Sequence, residues 1–281
     1  MAPALPDVLI APVIRAALAE DLGRAGDVTA AACIPEDARM RAVFAARKAG
    51  VMAGGACVRL ALHALDAGAT VEVTVAEGQA FAAGEALIVV EGRARAVLAA
   101  ERTALNLLGR LCGIATLTRA YVQAVEGTGA RIADTRKTTP GLRALEKHAV
   151  ACGGGVNHRF GLDDAILIKD NHVAVCGGVA EAVRRANAHA GHLMKVEVEV
   201  DGLDQLDAAL AEGPDVVMLD NFSLEDLREA VARAARRVTL EASGGVTLET
   251  VRAIAETGVD VISVGALTHS APNLDIGLDA A

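Results

Sequence analysis

Five short segments in the second half of this 281-residue chain concentrate residue types that do chemistry: Lys169-Asp170-Asn171-His172, Glu199, Asp220-Asn221, Ser243-Gly244-Gly245 and Gly265-Ala266. Glu197 and Glu199 alternate with Val196, Val198 and Val200, so on a strand the two carboxylates share one face. Pointing into a core they would require a cation or a metal ion. Glu199 and Asp220 together offer the hard oxygen donors that suit Mg²⁺ alongside substrate phosphates; an internal ion pair of Glu199 with Lys169 or Lys195 is the competing reading. Ser243-Gly244-Gly245 and Gly265-Ala266 let backbone N–H groups approach an anion closely, and a helix starting near Val246 would turn its positive end toward the same place.

Cations gather upstream of these segments. Seven basic residues (Arg131, Arg136, Lys137, Arg143, Lys147, Arg159, Lys169) face four acidic ones between positions 131 and 169, a local balance of +3 in a chain of net charge −9. His148 and His158 add donors that can become cationic beside an anion. Arg136-Lys137 and His158-Arg159, each beside a strand end or a glycine loop, suit a small molecule carrying carboxylates or phosphates, because guanidinium forks bind such groups bidentately. A nucleic acid is excluded on two counts: the overall charge is acidic, and aromatic residues make up only 2% of the chain, too few to stack on bases.

These segments need a frame that brings them to one edge. Strands are expected at 131–134, 165–169, 195–199, 215–219, 238–241 and 260–264, separated by helical patterns such as 179–190, 224–236 and 248–256. Such alternation calls for a parallel sheet with outer helices, whose strand C-termini carry the site. Six strands rather than eight favour an open or incomplete (β/α) barrel, with a doubly wound sheet as the rival. The first third differs: strict alternation at Val71, Val73 and Val75, glycine turns and Leu87 to Val90 suggest an antiparallel meander flanked by helices at 8–20 and 53–65. A long helical pattern from Ala94 to about Val125, expected to break near Gly109 and Gly113, joins the two parts. The fold class is therefore α/β with an N-terminal α+β domain over 1–112, a barrel over 113–267 and a tail, 268–281, returning to the N-terminal domain.

No membrane span is expected, since the longest stretch free of Asp, Glu, Lys and Arg, 261–274, falls short of the ~18 apolar residues required. No basic residue precedes Arg15, which does not fit a signal peptide, and the chain reads as cytoplasmic. The five cysteines show no C-x-x-C spacing; neither disulfides nor zinc are signalled, and they read as buried small hydrophobes. There is no Gly-Lys dipeptide, no G-x-S-x-G, no H-E-x-x-H and no G-x-G-x-x-G after a strand, so a P-loop, triad hydrolysis and classical dinucleotide binding lose support.

Longer motifs are more specific. Glu101-Arg102-Thr103-Ala104-Leu105-Asn106, the run from Asp134 to Arg143 (DTRKTTPGLR), Gly154-Gly155-Val156-Asn157-His158-Arg159, Leu167 to His172 (LIKDNH), Leu219-Asp220-Asn221 and Ser263 to Ser270 (SVGALTHS) together resemble the quinolinate phosphoribosyltransferase family, as do EDLG at 20–23 and GDVT at 26–29. The resemblance implies a two-domain subunit with an open barrel, and a homodimer, or a higher assembly of such dimers, with shared active sites. It implies transfer of phosphoribosyl from phosphoribosyl pyrophosphate to quinolinate, with loss of CO₂, to give nicotinate mononucleotide and pyrophosphate. By that pattern Arg102 reaches in from the partner subunit, Arg136, His158, Arg159 and Lys169 hold the quinolinate carboxylates, and Lys137, Glu199, Asp220, Ser243, Gly244, Gly245, Gly265, Ala266 and His269 serve phosphoribosyl pyrophosphate and Mg²⁺. Two alternatives remain: another enzyme acting on a phosphorylated metabolite, and an anion-binding accessory paralogue related to molybdenum transport. The intact cation set weighs against the second.

Overall fold

The computed structural model describes residues 4–281. The first part of the chain forms α1 (Asp7–Leu22), α2 (Val28–Cys33), β1 (Arg39–Ala46), β2 (Gly50–Val51), α3 (Gly55–Leu65), β3 (Thr70–Val73), β4 (Ala80–Phe81), β5 (Ala86–Arg93) and the 31-residue α4 (Ala94–Ala124). Then follow β6 (Arg131–Ala133), α5 (Arg143–Gly153), β7 (Ile166–Ile168), α6 (Asp170–Cys176), α7 (Val179–His189), β8 (Val196–Val200), α8 (Leu203–Glu212), β9 (Val216–Asp220), α9 (Leu224–Ala234), β10 (Thr239–Ser243), α10 (Val251–Ala255), β11 (Val261–Ser263), α11 (Ala266–His269) and β12 (Ile276–Ala280). Two units separate by their internal contacts, one built from residues up to Arg119 with Thr138–Gly154 and Ala266–Ala281, the other from Ala120–Lys137 and Gly155–Gly265.

All six strands expected after residue 130 form, and they make one parallel sheet in the second unit, ordered β6-β11-β10-β9-β8-β7. The order runs monotonically from β7 to β11 and then returns to the first strand, β6, which is the winding of a barrel; a doubly wound sheet reverses direction partway. No ladder joins β6 to β7, so the barrel is open there. Beyond β6 a single parallel bridge, Ala133 to Val156, extends the wall by one residue. Val196, Val198 and Val200 on β8, Val217 and Leu219 on β9, Leu240 and Ala242 on β10 and Ile262 on β11 are buried, as strands covered on both faces should be.

In the first unit an antiparallel sheet runs β12-β1-β5-β3. Its last strand comes from the C-terminal tail, with Ile276 opposite Ala46 and Ala280 opposite Ala42. The expected meander is corrected: β3 pairs directly with β5, while β4 leaves to pair with β2. The Gly78 turn, at φ 79°, and the Met52 N–H donated to the Gln79 carbonyl at 2.9 Å aim the chain that way. Helix α1 buries Ile10, Ile14 and Leu18 and packs against α3.

The expected break in α4 does not occur, and its two glycines serve packing instead. A Cβ on Gly109 would stand 2.8 Å from the Leu274 carbonyl oxygen, and one on Gly113 would collide with that of Pro272. The absence of side chains lets the C-terminal segment lie against the helix, where the Leu274 N–H donates to the Gly109 carbonyl at 2.9 Å. Arg110 fastens the same segment, donating to the Ala271 carbonyl at 3.1 Å and to that of Thr268 while its Nη2 meets Glu146 at 3.0 Å. Of the cysteines expected to be buried, Cys57, Cys112 and Cys152 are, whereas Cys33 is exposed and Cys176 half-buried. Among the described residues no helix is long and apolar enough to cross a membrane.

Candidate active site

Parallel strands place their C-termini along one edge of the second unit, and the polar residues singled out in the sequence follow β6 to β11 there. The edge is organised by Asp134, directly after β6. Its carboxylate is fully buried and accepts the Asn157 side-chain amide at 2.6 Å and the His158 backbone N–H at 2.9 Å. With Val156 paired on Ala133, this fixes the loop that presents His158 and Arg159.

His158 turns inward. Its Nδ1 accepts the Arg159 backbone N–H at 2.7 Å, so the ring hydrogen sits on Nε2, which faces Glu197 of β8 at 3.0 Å and Glu241 of β10 at 3.7 Å. The ring thus stands between two buried carboxylates. Glu197 and Glu241 are both buried, and each keeps one carboxylate oxygen with no hydrogen-bond partner. Burial first, and the neighbouring charge of Glu197 second, push the Glu241 carboxyl up to about 7.

Two arginines on this edge repel one another. Arg136 and Arg159 each bury an Nε that finds no acceptor, although Arg159 also donates from Nη1 to the Ala165 carbonyl at 3.1 Å. Burial, and then the charge of Arg136, hold the Arg159 guanidinium below its usual range. Two half-buried cations that repel one another and keep unpaired donors make a place where an anion is stabilised strongly.

Lys169, at the end of β7, pairs with Glu199 on β8, the ion pair weighed from the sequence. Asp220 ends β9, accepting the Asn221 side-chain amide at 2.7 Å. Asn221 stands in the left-handed region at φ 56° and donates its N–H to the Ser243 carbonyl at 2.9 Å. A Cβ on Gly244 would lie 3.0 Å from the Asn221 nitrogen, so the turns after β9 and β10 interlock only with glycine there. Gly244 and Gly245 both take positive φ, 94° and 59°. The helix expected near Val246 does not form; α10 begins at Val251 and has five residues, because Thr247 and Thr250 close a turn instead. A glycine turn, not a helix end, therefore follows β10. Lys137 is exposed, and Gly265 is half-buried after Val264, whose N–H bonds the Ala133 carbonyl at 2.9 Å.

Three expected site residues belong to the first unit: Arg102, exposed on α4, and Ala266 and His269, which begin and end α11. His269 Nδ1 lies 2.7 Å from Ser270 Oγ. His148, read from the sequence as part of the cation patch, also lies in the first unit, beside Glu77.

Residues 27–112 match the family model for the quinolinate phosphoribosyl transferase N-terminal domain, and residues 114–279 match that for its C-terminal domain. The chain belongs to the quinolinate phosphoribosyltransferase family. It is 50% identical over 274 residues to a nicotinate-nucleotide pyrophosphorylase (carboxylating) of Mycobacterium leprae, covering 95% of each chain. A probable nicotinate-nucleotide pyrophosphorylase (carboxylating) of Bacillus subtilis is 44% identical, over 92% of this chain and 89% of its own. The solved nicotinate-nucleotide pyrophosphorylase of Francisella tularensis superposes with a TM-score of 0.94 at 40% identity, covering 99% of this chain and 98% of that one. A Pyrococcus furiosus nicotinate-nucleotide pyrophosphorylase at 19% identity, TM-score 0.72, shares the fold.

For this quinolinate phosphoribosyltransferase family member, sequence reading missed Glu241 and the organising part of Asp134. Glu241 carried a legible signal: a carboxylate between Leu240 and Ala242, mid-strand, has no solvent to face. Asp134 ends an expected strand and opens the run from Asp134 to Arg143, but nothing local marks its organising part.

Proposed function

We propose that this protein transfers phosphoribosyl from phosphoribosyl pyrophosphate to quinolinate and removes the 2-carboxylate, giving nicotinate mononucleotide, pyrophosphate and CO₂. The observation that carries the reading is the Arg136–Arg159 pair, whose buried, unpartnered Nε atoms call for a carboxylate-bearing ligand. The family match supplies the reaction class, and the glycine turn after β10 supplies N–H donors suited to a phosphate.

In this reading Arg136 and Arg159 hold the two carboxylates and so aim the pyridine nitrogen at the anomeric carbon of the sugar; positioning replaces a protein nucleophile. Lys169, at the end of β7 and paired with Glu199, joins them in holding the carboxylates. The N–C bond forms as the bond from the anomeric carbon to pyrophosphate breaks with its electron pair. Glu199 and Asp220 then stand where positive charge develops on the ribose. The ring nitrogen becomes cationic, and the carboxylate beside it departs as CO₂, leaving its electron pair on a carbon that takes a proton from solvent. Lys137, Ser243, Gly244, Gly245, Gly265, Ala266 and His269 serve the phosphates, and Arg102 enters from the partner subunit of a homodimer.

Mg²⁺ suits the donor set: Glu199 and Asp220 are hard carboxylates on neighbouring strands, and substrate oxygens complete its preferred shell. Bound there it would neutralise charge on the pyrophosphate leaving group. His158 keeps to a buried supporting part, fixing Arg159 through its backbone and bridging the two interior glutamates.

The test is product analysis. Purified protein with quinolinate, phosphoribosyl pyrophosphate and Mg²⁺ is expected to form nicotinate mononucleotide and CO₂ in equal amounts, with nicotinate a poor substitute. Use of nicotinate instead, or anion binding with no turnover as an accessory paralogue would give, contradicts the reading.

A further inference from the structure

The first unit holds a second cluster of reactive side chains that the transfer chemistry does not use. On α5, His148 and Cys152 are four residues apart and therefore share a face. Opposite them stands Glu77, on the loop between β3 and β4. His148 Nε2 lies 3.4 Å from Glu77 Oε2, Cys152 Sγ lies 3.4 Å from the same oxygen, and Cys152 Sγ lies 3.4 Å from His148 Nε2. Three different donor atoms thus form an equilateral triangle. An ion bound tetrahedrally at about 2.0–2.3 Å by nitrogen, oxygen and sulfur has ligand-to-ligand edges of about 3.3–3.6 Å.

The triangle is held from outside. Glu77 Oε1 accepts the N–H groups of Gly54 at 3.0 Å and Gly55 at 2.8 Å, and Oε2 accepts that of Gly54 at 3.0 Å. Although burial opposes it, the bonds from His148, Gly55 and Gly54 keep this carboxyl below its usual range. Arg119 donates to the Gly153 carbonyl at 2.8 Å, the Gly78 carbonyl at 3.1 Å and the Cys152 carbonyl at 3.3 Å, tying the Glu77 loop to the end of α5. Gly78 packs so tightly that a Cβ there would stand 3.1 Å from the Cys152 carbonyl. Such backbone and outer-residue supports are what fix metal ligands in place.

A nucleophilic thiol is the rival use of the same residues, and the geometry opposes it. One ring nitrogen, Nε2, faces both the sulfur and the carboxylate, so no relay runs through opposite sides of the imidazole. Cys152 is buried, and its thiol is pushed up by that burial and by Glu77. The neighbouring Cys57 and Cys112 thiols are raised to about 12, also by burial first, and stay neutral.

We propose that Glu77, His148 and Cys152 form a binding site for a single Zn²⁺ ion, with water on the fourth position. The mixed sulfur, nitrogen and carboxylate set matches Zn²⁺ and is wrong for Mg²⁺ or Ca²⁺, which take oxygen shells. The Glu77 side chain, 27% exposed, leaves the open position reachable from solvent. Binding displaces the thiol proton to solvent and requires the imidazole hydrogen on Nδ1, so affinity rises with pH. The ion would clip the Glu77 loop to α5, a structural part separate from substrate turnover.

Chelator-treated protein, titrated with Co²⁺ in excess Mg²⁺, is expected to take up about one equivalent, with a thiolate-to-cobalt charge-transfer band and the visible bands of a tetrahedral ion, all displaced by Zn²⁺. Cys152→Ser should abolish the charge-transfer band and weaken Zn²⁺ binding by at least the roughly 100-fold that loss of an outer partner can cost. Cys33→Ser and Cys176→Ser should change neither. Where Cys152→Ser does not fold, X-ray absorption of the Zn²⁺-loaded wild type reads the same assignment: one sulfur with nitrogen and oxygen neighbours is expected. No thiolate band at one equivalent, a band that survives Cys152→Ser or vanishes in Cys33→Ser or Cys176→Ser, or a zinc shell without sulfur or with two sulfurs overturns the proposal.

Discussion

Arg136 and Arg159 repel one another, and each keeps a buried Nε without an acceptor, an arrangement that costs stability in the empty protein and favours ligand. Replacing either with alanine should lower kcat/KM for quinolinate about 100- to 1,000-fold, as expected for one partner of a desolvated charge pair, chiefly through KM. Arg136→Ala should not lower the unfolding temperature of the free protein, since a repulsion is removed; steady-state kinetics and a thermal melt check the two halves. Glu241 gives a pH prediction. Its folded pKa, about 7, lies above the value of an unfolded glutamate, so its contribution to stability is complete below about pH 4.5 and is lost as pH rises through 7. The urea midpoint of the wild type relative to that of Glu241→Gln should therefore fall between pH 4.5 and 8. A difference that rises over that range would contradict the assignment. At this scale the sequence revealed the cations and the polar strand ends, because residue type and place after a strand are local. It did not reveal that His158 would turn inward, since that depends on Asp134 and on two strands distant in sequence.

Helix α4 shows how an element can be read correctly yet its glycines wrongly. Helical spacing from Ala94 onward was plain, but Gly109 and Gly113 looked like interruptions because their partners, Leu274 and Pro272, are more than 150 positions away. Gly113→Ala gains up to about 1 kcal/mol of helix propensity, but it forces a methyl into the Pro272 carbonyl, an overpacking that costs about 1–3 kcal/mol. Net destabilisation in a denaturant titration is expected; a more stable variant would show that the close approach does not matter. The barrel strands were legible because each is a short β-branched run between helical patterns, a signal contained within a few residues. Strands β1 and β12 were not: β12 exists only through its pairing with β1, and neither run has a strong pattern by itself. The helix expected after Ser243-Gly244-Gly245 failed for a local reason, the Thr247–Thr250 turn, that its apolar spacing concealed.

At the scale of the whole molecule, the two units are interleaved along the chain, with residues 138–154 grouped with the first unit although strands of the second lie on either side. Composition does not change across those junctions, which is why a single boundary was expected. The shared-site proposal belongs to this scale. If Arg102 serves the partner's site, Arg102→Ala and Lys169→Ala subunits, each inactive alone, should recover roughly a quarter of the wild-type activity when dissociated and reassociated in equal amounts, since half of the dimers carry one intact site. No recovery in mixed dimers verified by mass spectrometry would place Arg102 in its own subunit's site or outside any site. The whole account turns on where the pyridine dicarboxylate is held, and a crystal structure of the protein with quinolinate tests that most directly. The prediction is one carboxylate accepting hydrogen bonds from each of Arg136 and Arg159, with the ring nitrogen facing the edge formed by Glu199 and Asp220. Quinolinate bound elsewhere, with the Nε atoms of both arginines still without an acceptor, would contradict it.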